Sequence, residues 1–218
     1  MSTMTNDAGV AGTSVDAMAE LTMASVSVAV THALHAGALA PRFVLSDRNG
    51  NRVALDELLR SGPVVLNFLR GSWCSFGEER LARFFAMHER IGSEGATAVA
   101  VAPPDTSMRQ HDRLPMAELV DTDLRLARAF GLTFDLPEIL RDHYLELGYK
   151  PPKPRKCGDF LVPVPATYLI DKDGIVVFAH VDFDYRNGFE EESLLKAVRA
   201  LRGRRQGFRI AFPRLTPY

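Results

Sequence analysis

The strongest chemical signal in this sequence is the segment Trp73-Cys74-Ser75-Phe76-Gly77, which directly follows the apolar run 64–69. The run predicts a buried strand, and the residues after it predict a helix that begins at the cysteine. In the first turn of that helix, the N–H groups of Ser75 and Phe76 and the positive end of the helix dipole would favour a thiolate at Cys74. The thiolate is the nucleophilic form, so Cys74 is the predicted catalytic residue. A buried structural cysteine is the alternative, because free cysteine is among the most buried residue types.

Two residues just before Cys74 fit the same chemistry. Arg70 lies four residues upstream, where its charge could stabilise the thiolate or a polarised peroxide. The indole of Trp73 is interpreted as a hydrophobic cover that shields the thiol from water and shapes access to it. Together these residues predict a site built on one short connection between a strand and a helix.

The second cysteine, Cys157, ends the proline-rich basic segment 150–157. Adjacent positive charge would lower the pKa of its thiol. One interpretation is a resolving cysteine that attacks the sulfenic acid formed at Cys74 and yields a disulfide. The other is an incidental surface thiol, and the sequence leaves both open.

Composition narrows the class of protein. The chain has 218 residues, 46% of them hydrophobic, and a net charge of −1, which gives no general reason to expect nucleic acid as a partner. Two cysteines do not make a disulfide scaffold and suit a reducing compartment. The chain lacks an apolar run of the roughly 18 residues that a membrane span needs, and its first residues lack the basic start of a secretory signal, so a cytoplasmic location is expected. His32 and His35 have no supporting ligands nearby, so we predict no metal and no cofactor.

The order of the predicted elements gives the fold class. Residues 1–13 are expected to be disordered, and a helix is predicted from about 14 to 35. The other predictions are a hairpin over 43–53, strands at 63–69, 97–102 and 118–120, a helix after Cys74, short helices at 123–130 and 137–147, a loop over 150–164, a hairpin of 166–170 with 175–181, and a helix over 189–201 followed by an irregular basic tail. A strand–helix–strand unit joined to an antiparallel hairpin predicts a mixed α/β sheet with helices on both faces.

Several separated blocks resemble a known family. They are 40–45, 63–68 with Arg70-Gly71-Ser72-Trp73-Cys74, 127–131, and the run 164–174 that begins Val-Pro-Ala-Thr. The chain resembles the AhpC/TSA branch of peroxiredoxin-like proteins over residues 38–202. This resemblance implies a thioredoxin-like three-layer α/β/α fold with a mixed central sheet and an added N-terminal helix. The expected divisions are residues 1–37 as disordered tail and helix, 38–202 as the redoxin domain, and 203–218 as a basic C-terminal tail.

The resemblance also implies a substrate pocket near Cys74, framed by Trp73, Ser75, Phe76, Pro165 and Thr167. In that fold context the Val164–Pro165 bond is expected to be cis and to place a backbone edge opposite Cys74, with an ordinary trans proline as the alternative.

The sequence departs from the family pattern around the cysteine. Relatives commonly carry Arg-Gly-x-Trp-Cys-Pro-Tyr-Cys, and here Ser75, Phe76 and Gly77 replace the last three residues, so the adjacent disulfide cannot form. The usual peroxiredoxin signature has a threonine where this chain has Gly71.

The leading functional prediction is a thiol-dependent peroxidase that reduces hydrogen peroxide or organic hydroperoxides through a sulfenic acid at Cys74. Cys157, a thioredoxin-like protein or a low-molecular-weight thiol would then reduce the enzyme. A monothiol disulfide oxidoreductase of thioredoxin type and a redox-inactive binding module are the alternatives. The resemblance implies a homodimer, and neither a nucleic acid nor a membrane is expected as a partner.

Overall fold

The computed structural model describes Thr22 and residues 31–74, 76–104, 116–153, 158–181 and 190–210, with the backbone alone at 78 and 204–210. The strands are β1 (Val44–Ser46), β2 (Arg52–Ala54), β3 (Val64–Phe68), β4 (Thr97–Ala102), β5 (Ala117–Val120), β6 (Thr133–Asp135), β7 (Leu161–Pro163), β8 (Ala166–Ile170) and β9 (Val176–Val181). The helices are α1 (Leu55–Ser61), α2 (Gly77–Ser93), α3 (Arg125–Ala129), α4 (Glu138–Glu146) and α5 (Glu191–Ile210), with a 3₁₀ turn over Thr122–Leu124.

Strand β3, which delivers the chain to Cys74, lies in the middle of a five-stranded sheet in the order β5-β4-β3-β8-β9. It runs parallel to β4, and β4 runs parallel to β5, whereas β8 is antiparallel to both β3 and β9. All five residues of β3 are buried, as expected for a continuous apolar run in a sheet covered on both faces. The predicted mixed sheet is confirmed.

Two hydrophobic cores cover the two faces of this sheet. Because side chains alternate along a strand, Leu66 and Phe68 contribute to one core and Val65 to the other. The first core also takes apolar residues of α1, α3 and α4. The second takes Phe84 of α2 and Leu194 of α5. The predicted three-layer α/β/α arrangement is therefore confirmed.

A small antiparallel sheet of two strands is present where the sequence predicted only a loop. Strand β7 falls inside the predicted loop 150–164 and pairs antiparallel with β6, with Phe134 opposite Val162. Each strand has three residues, too few to show the alternation on which strand prediction depends. The loop prediction was wrong at this point. The pairing of β6 with β7 brings the end of the predicted loop back onto the domain.

The predictions for both ends of the domain also need correction. Helix α5 continues to Ile210, whereas an irregular tail was predicted after Arg202. Gly203 and Gly207 lie in this segment, but an isolated glycine costs a helix only about 1 kcal/mol relative to alanine. At the other end, Thr22 is helical, but residues 31–35 form a turn and irregular backbone in place of the predicted helix. This segment is committed to tertiary contacts, because the N–H of Leu34 donates to the Phe130 carbonyl at 3.0 Å.

Candidate active site

Cys74 lies in the connection between β3 and α2, as predicted, and is 6% exposed. Its N–H donates to the carbonyl of Gly71 at 3.2 Å, and its own carbonyl accepts the N–H of Gly77 at 2.7 Å. Helix α2 begins at Gly77 with Phe76 as the preceding cap residue, so the cysteine stands one turn ahead of the helix and not in its first turn. The 17-residue helix still directs its N-terminal end toward the loop that carries the thiol.

Two glycines of this loop are in direct contact. A Cβ atom added to Gly77 would lie 2.0 Å from the carbonyl oxygen of Gly71 and 2.9 Å from its carbon. Gly71 itself has a φ of +116°, in the region that favours glycine. A side chain at position 77 therefore does not fit this backbone. The missing second thiol of the family pattern is thus a property of the loop geometry, because a cysteine at 77 would need the loop to move.

Arg70 is almost completely buried and is held by aromatic side chains. Its Nη2 donates to the phenolic oxygen of Tyr144 at 2.9 Å. Its guanidinium carbon lies 4.6 Å from the centroid of the Trp73 ring and 5.5 Å from that of Tyr144. These are cation–π distances. The indole N–H of Trp73 in turn donates to the Arg70 carbonyl at 2.7 Å, so the two residues form one unit.

Three rings, of Trp73, Tyr144 and Tyr149, make up what we call the aromatic cluster. Trp73 lies 5.2 Å from Tyr144 and 4.7 Å from Tyr149 between ring centroids. The hydroxyl of Tyr149 donates to the carbonyl of Leu161. Burial raises the pKa of Tyr149 far above its ordinary value, although the charge of Arg70 acts in the opposite direction. The cluster therefore holds a cation beside the cysteine loop while the buried hydroxyl of Tyr149 stays protonated.

The sequence did not identify Tyr144 and Tyr149 as site residues. Tyr144 is in α4, and Tyr149 follows the end of that helix, some seventy residues after the cysteine. The available signal was a pair of aromatic residues five positions apart, close to the proline-rich segment. That pattern indicates burial but not the partner, which only the fold supplies.

The other predicted pocket residues have different outcomes. No described peptide bond is cis, so the prediction of a cis bond at Pro165 was wrong. The Val164 N–H donates to the Leu132 carbonyl at 2.9 Å and β8 starts at Ala166, so the chain passes through Pro165 in the generally preferred trans form. The hydroxyl of Thr167 accepts a hydrogen bond from the Asn67 amide at 2.9 Å inside the sheet.

Ser75 and Cys157 lie outside the described residues, so their predicted roles stay predictions. Phe76 is half-buried at the start of α2. Among the residues that the structure describes, no cluster of three His, Cys, Asp or Glu side chains could hold a metal ion. Likewise, within the described part of the chain, no helix is both long and apolar enough to cross a membrane.

The sequence is similar to those of proteins named thiol-disulfide oxidoreductases. Thiol-disulfide oxidoreductase ResA from Bacillus subtilis (strain 168) is 26% identical over 146 residues, which cover 65% of this chain and 64% of that protein. The ResA of Geobacillus kaustophilus (strain HTA426) is 30% identical over 66% of this chain and 68% of its own length. This chain thus spans about two thirds of the length of these relatives.

Solved structures show the same fold. Peroxidoxin BcpB from Mycobacterium tuberculosis superimposes with a TM-score of 0.57 at 19% identity, covering 77% of this chain and 97% of that one. The model of the AhpC/TSA family matches residues 36–179, which include β3, the Cys74 loop and most of β9. The chain therefore belongs to the AhpC/TSA family of thioredoxin-fold redox proteins.

Proposed function

We propose that this protein is a monothiol thiol–disulfide oxidoreductase whose nucleophile is Cys74. The observation that carries the proposal is the contact between Gly77 and Gly71, where an added Cβ would meet the Gly71 oxygen at 2.0 Å. The loop has one thiol and no room for a second one at the usual spacing. The relatives named thiol-disulfide oxidoreductases support exchange chemistry for the same region of the chain.

The reaction proceeds by two displacements at sulfur. The Cys74 thiolate attacks one sulfur of an outside disulfide, the S–S bond breaks, and the departing sulfur leaves as a thiolate. Cys74 is then joined to the other half of the substrate as a mixed disulfide. A second outside thiolate attacks that half and releases Cys74 as a thiolate, so thiols and disulfides are exchanged and no other oxidant is needed. A reducing compartment such as the cytoplasm would supply the second thiol.

Arg70 stabilises the anionic sulfur in this scheme. Arg70 is only 4% exposed, and its guanidinium is held by Trp73 and Tyr144. Water therefore screens its positive charge poorly. Arg70 is four residues from Cys74, across the same tight loop. Trp73 directly precedes the cysteine and packs on two tyrosines, so we expect its indole to restrict approach to the sulfur.

The test uses a protein with Cys157→Ser, in which Cys74 is the one remaining cysteine. Intact mass measurement follows adduct formation with bis(2-hydroxyethyl) disulfide and, separately, oxidation by hydrogen peroxide. We expect a mixed disulfide on Cys74 at a rate well above the rate of oxidation. Cys74→Ser in the same background is the matched control and should form no adduct. If Cys74 in the Cys157→Ser protein reacts with peroxide and not with the disulfide, the proposal is refuted.

Peroxide reduction is the second candidate, and the buried Arg70 favours it. A guanidinium beside the loop could polarise a peroxide while the Cys74 thiolate attacks one oxygen, the O–O bond breaks, and water or an alcohol leaves after protonation. The product is Cys74 sulfenic acid, which Cys157 or an outside thiol would reduce with loss of water. Trapping of sulfenic acid by dimedone at Cys74 within seconds of peroxide addition would favour this candidate. A Cys74 inert to both reagents would indicate a binding module.

A further inference from the structure

A groove of about 190 Å³ lies at the carboxyl ends of two parallel strands. One wall is formed by Pro103 and Pro104 after β4, a second by residues 122–124 after β5, and the third by residues 149–153 after α4. In open α/β sheets, this end of the parallel strands is where ligands generally bind. None of these groove residues was predicted as part of the site.

The groove is joined to the thiol by the aromatic cluster. Tyr149 lines the groove, and its ring centroid lies 4.7 Å from that of Trp73. Trp73 is the residue before Cys74 and lies over the Arg70 guanidinium. A molecule in the groove therefore touches a ring that is packed directly against Trp73, the residue before the nucleophile.

The lining combines apolar walls with positive charge. Four prolines and the Tyr149 ring provide rigid apolar surface, and Lys150 and Lys153 are exposed at its edge. The carboxylate in the lining, that of Asp123, lies 3.6 Å from the Arg125 guanidinium. Lys150, Lys153 and the neighbouring Arg125 are three positive charges against this one carboxylate, so the described residues at the groove carry a net positive charge, which suits a compact molecule with carboxylates.

The wall opposite Tyr149 is held in a fixed conformation. Asp123 and Leu124 have φ values of +60° and +52°, which side-chain-bearing residues adopt rarely. The buried carboxylate of Asp121 keeps the following turn in place by accepting the N–H groups of Leu126 at 2.9 Å and Ala127 at 2.8 Å. Strained backbone that is fixed by its surroundings is common at binding sites, and such preorganisation lowers the entropy lost on binding.

We propose that this groove binds the carboxylates of a low-molecular-weight thiol, or of its disulfide, and presents the sulfur to Cys74. The proposal rests on the proposed function and names its outside thiol by chemical class. A volume of about 190 Å³ is small beside the roughly 300–1,000 Å³ of sites for drug-sized ligands, which favours a small molecule over a protein segment. In the docked disulfide, Cys74 takes one sulfur and the other half leaves as a thiolate. A thiolate on a different molecule then attacks the sulfur bound to Cys74, releases Cys74 as a thiolate and leaves as a new disulfide with that half.

The test compares disulfides of different charge. In the Cys157→Ser protein, the rate of adduct formation on Cys74 is measured with anionic glutathione disulfide, neutral bis(2-hydroxyethyl) disulfide and cationic cystamine. We expect the anionic disulfide to react roughly five-fold faster than the cationic one after each is corrected for its reactivity with a free thiol, as two exposed charge pairs of ordinary strength would give. The preference should weaken as salt is added.

A double variant tests the two lysines. Lys150→Gln with Lys153→Gln should lower the ratio of the anionic rate to the neutral rate. Lys172→Gln with Lys196→Gln removes the same charge at exposed positions away from the groove and should keep the ratio. This inference would be overturned by equal rates for the three disulfides in the parent protein. It would also be overturned if the groove variant kept the parent's ratio of anionic to neutral rate. Either result would leave exchange at Cys74 intact. No adduct with any of the three would instead refute the proposed function itself.

Discussion

Replacing Gly77 by alanine tests whether the loop around Cys74 has room for one side chain only. The new Cβ would be placed 2.0 Å from the oxygen of Gly71, against an ordinary contact distance of about 3.5 Å. The obstacle is backbone at the turn between β3 and α2, so no side chain can rotate away to relieve the contact. The loop itself has to shift.

The expected loss follows from two opposing effects. Overpacking of a tightly packed site costs about 1–3 kcal/mol. Alanine is the better helix former, which returns up to about 1 kcal/mol relative to glycine. The free energy of unfolding should therefore fall by about 1–2 kcal/mol. For a chain of 218 residues this lowers the melting temperature by roughly 2–8 °C.

The assay is urea denaturation followed by far-UV circular dichroism and by the fluorescence of Trp73, the one tryptophan of the chain. Gly92→Ala is the matched control, since it is the same substitution in the same helix and its added Cβ has nothing within 4 Å. That control should be stabilised by about 0.5–1 kcal/mol. If Gly77→Ala is as stable as wild type while Gly92→Ala behaves as expected, the steric reasoning is refuted.

Three further changes test other contacts. Tyr144→Phe removes the oxygen that accepts from the buried guanidinium of Arg70, and should lower the free energy of unfolding by about 1–3 kcal/mol in chemical denaturation; an unchanged midpoint would contradict this. Gly131→Ala places a Cβ 2.1 Å from the carbonyl oxygen of His32, so hydrogen exchange of the backbone amides around His32 should speed up. Unaltered protection of these amides from exchange would show that the segment is not held there. Burial raises the pKa of the Glu118 carboxyl above its usual 4.5. The folded state therefore binds this proton more tightly than the unfolded state does. The free energy of unfolding should then decline as the pH rises through the interval just above 4.5. Glu118→Gln should flatten that decline in unfolding measured from pH 4 to 7, and an unaltered slope would oppose the assignment.

The sequence predicted the parts of the fold whose signals are local. The buried strand β3, the helix after Cys74 and the hairpin of β8 with β9 each follow from a run of apolar residues bounded by turn residues. The pairing of β6 with β7 was missed because each strand has only three residues and the paired residues are 26 to 30 positions apart in the sequence. Pairing over that distance is decided by the fold around it.

The site shows the same division between local and long-range information. The place of Cys74 and the closeness of Arg70 and Trp73 could be predicted, because all three are within five residues. The hydrogen bond from Arg70 to Tyr144 joins residues 74 positions apart, and no local pattern encodes it. Gly77 was recognised only as the absence of a thiol, whereas its contact with Gly71 gives the position a steric role of its own.

That steric role bears on how the proposed exchange reaction releases its mixed disulfide. In a dithiol loop, the second cysteine releases the substrate by attacking the mixed disulfide from inside the protein. Here the backbone occupies the place of that group, so in the proposed exchange the release comes from a thiol outside the loop, either Cys157 or a separate molecule. A separate molecule meets a thiol that is only 6% exposed. The indole of Trp73, the residue before it, is packed on Tyr149, which lines the lysine-bearing groove. In these proposals the strand–loop–helix connection supplies the nucleophile, and the residues that follow β4, β5 and α4 position its co-substrate.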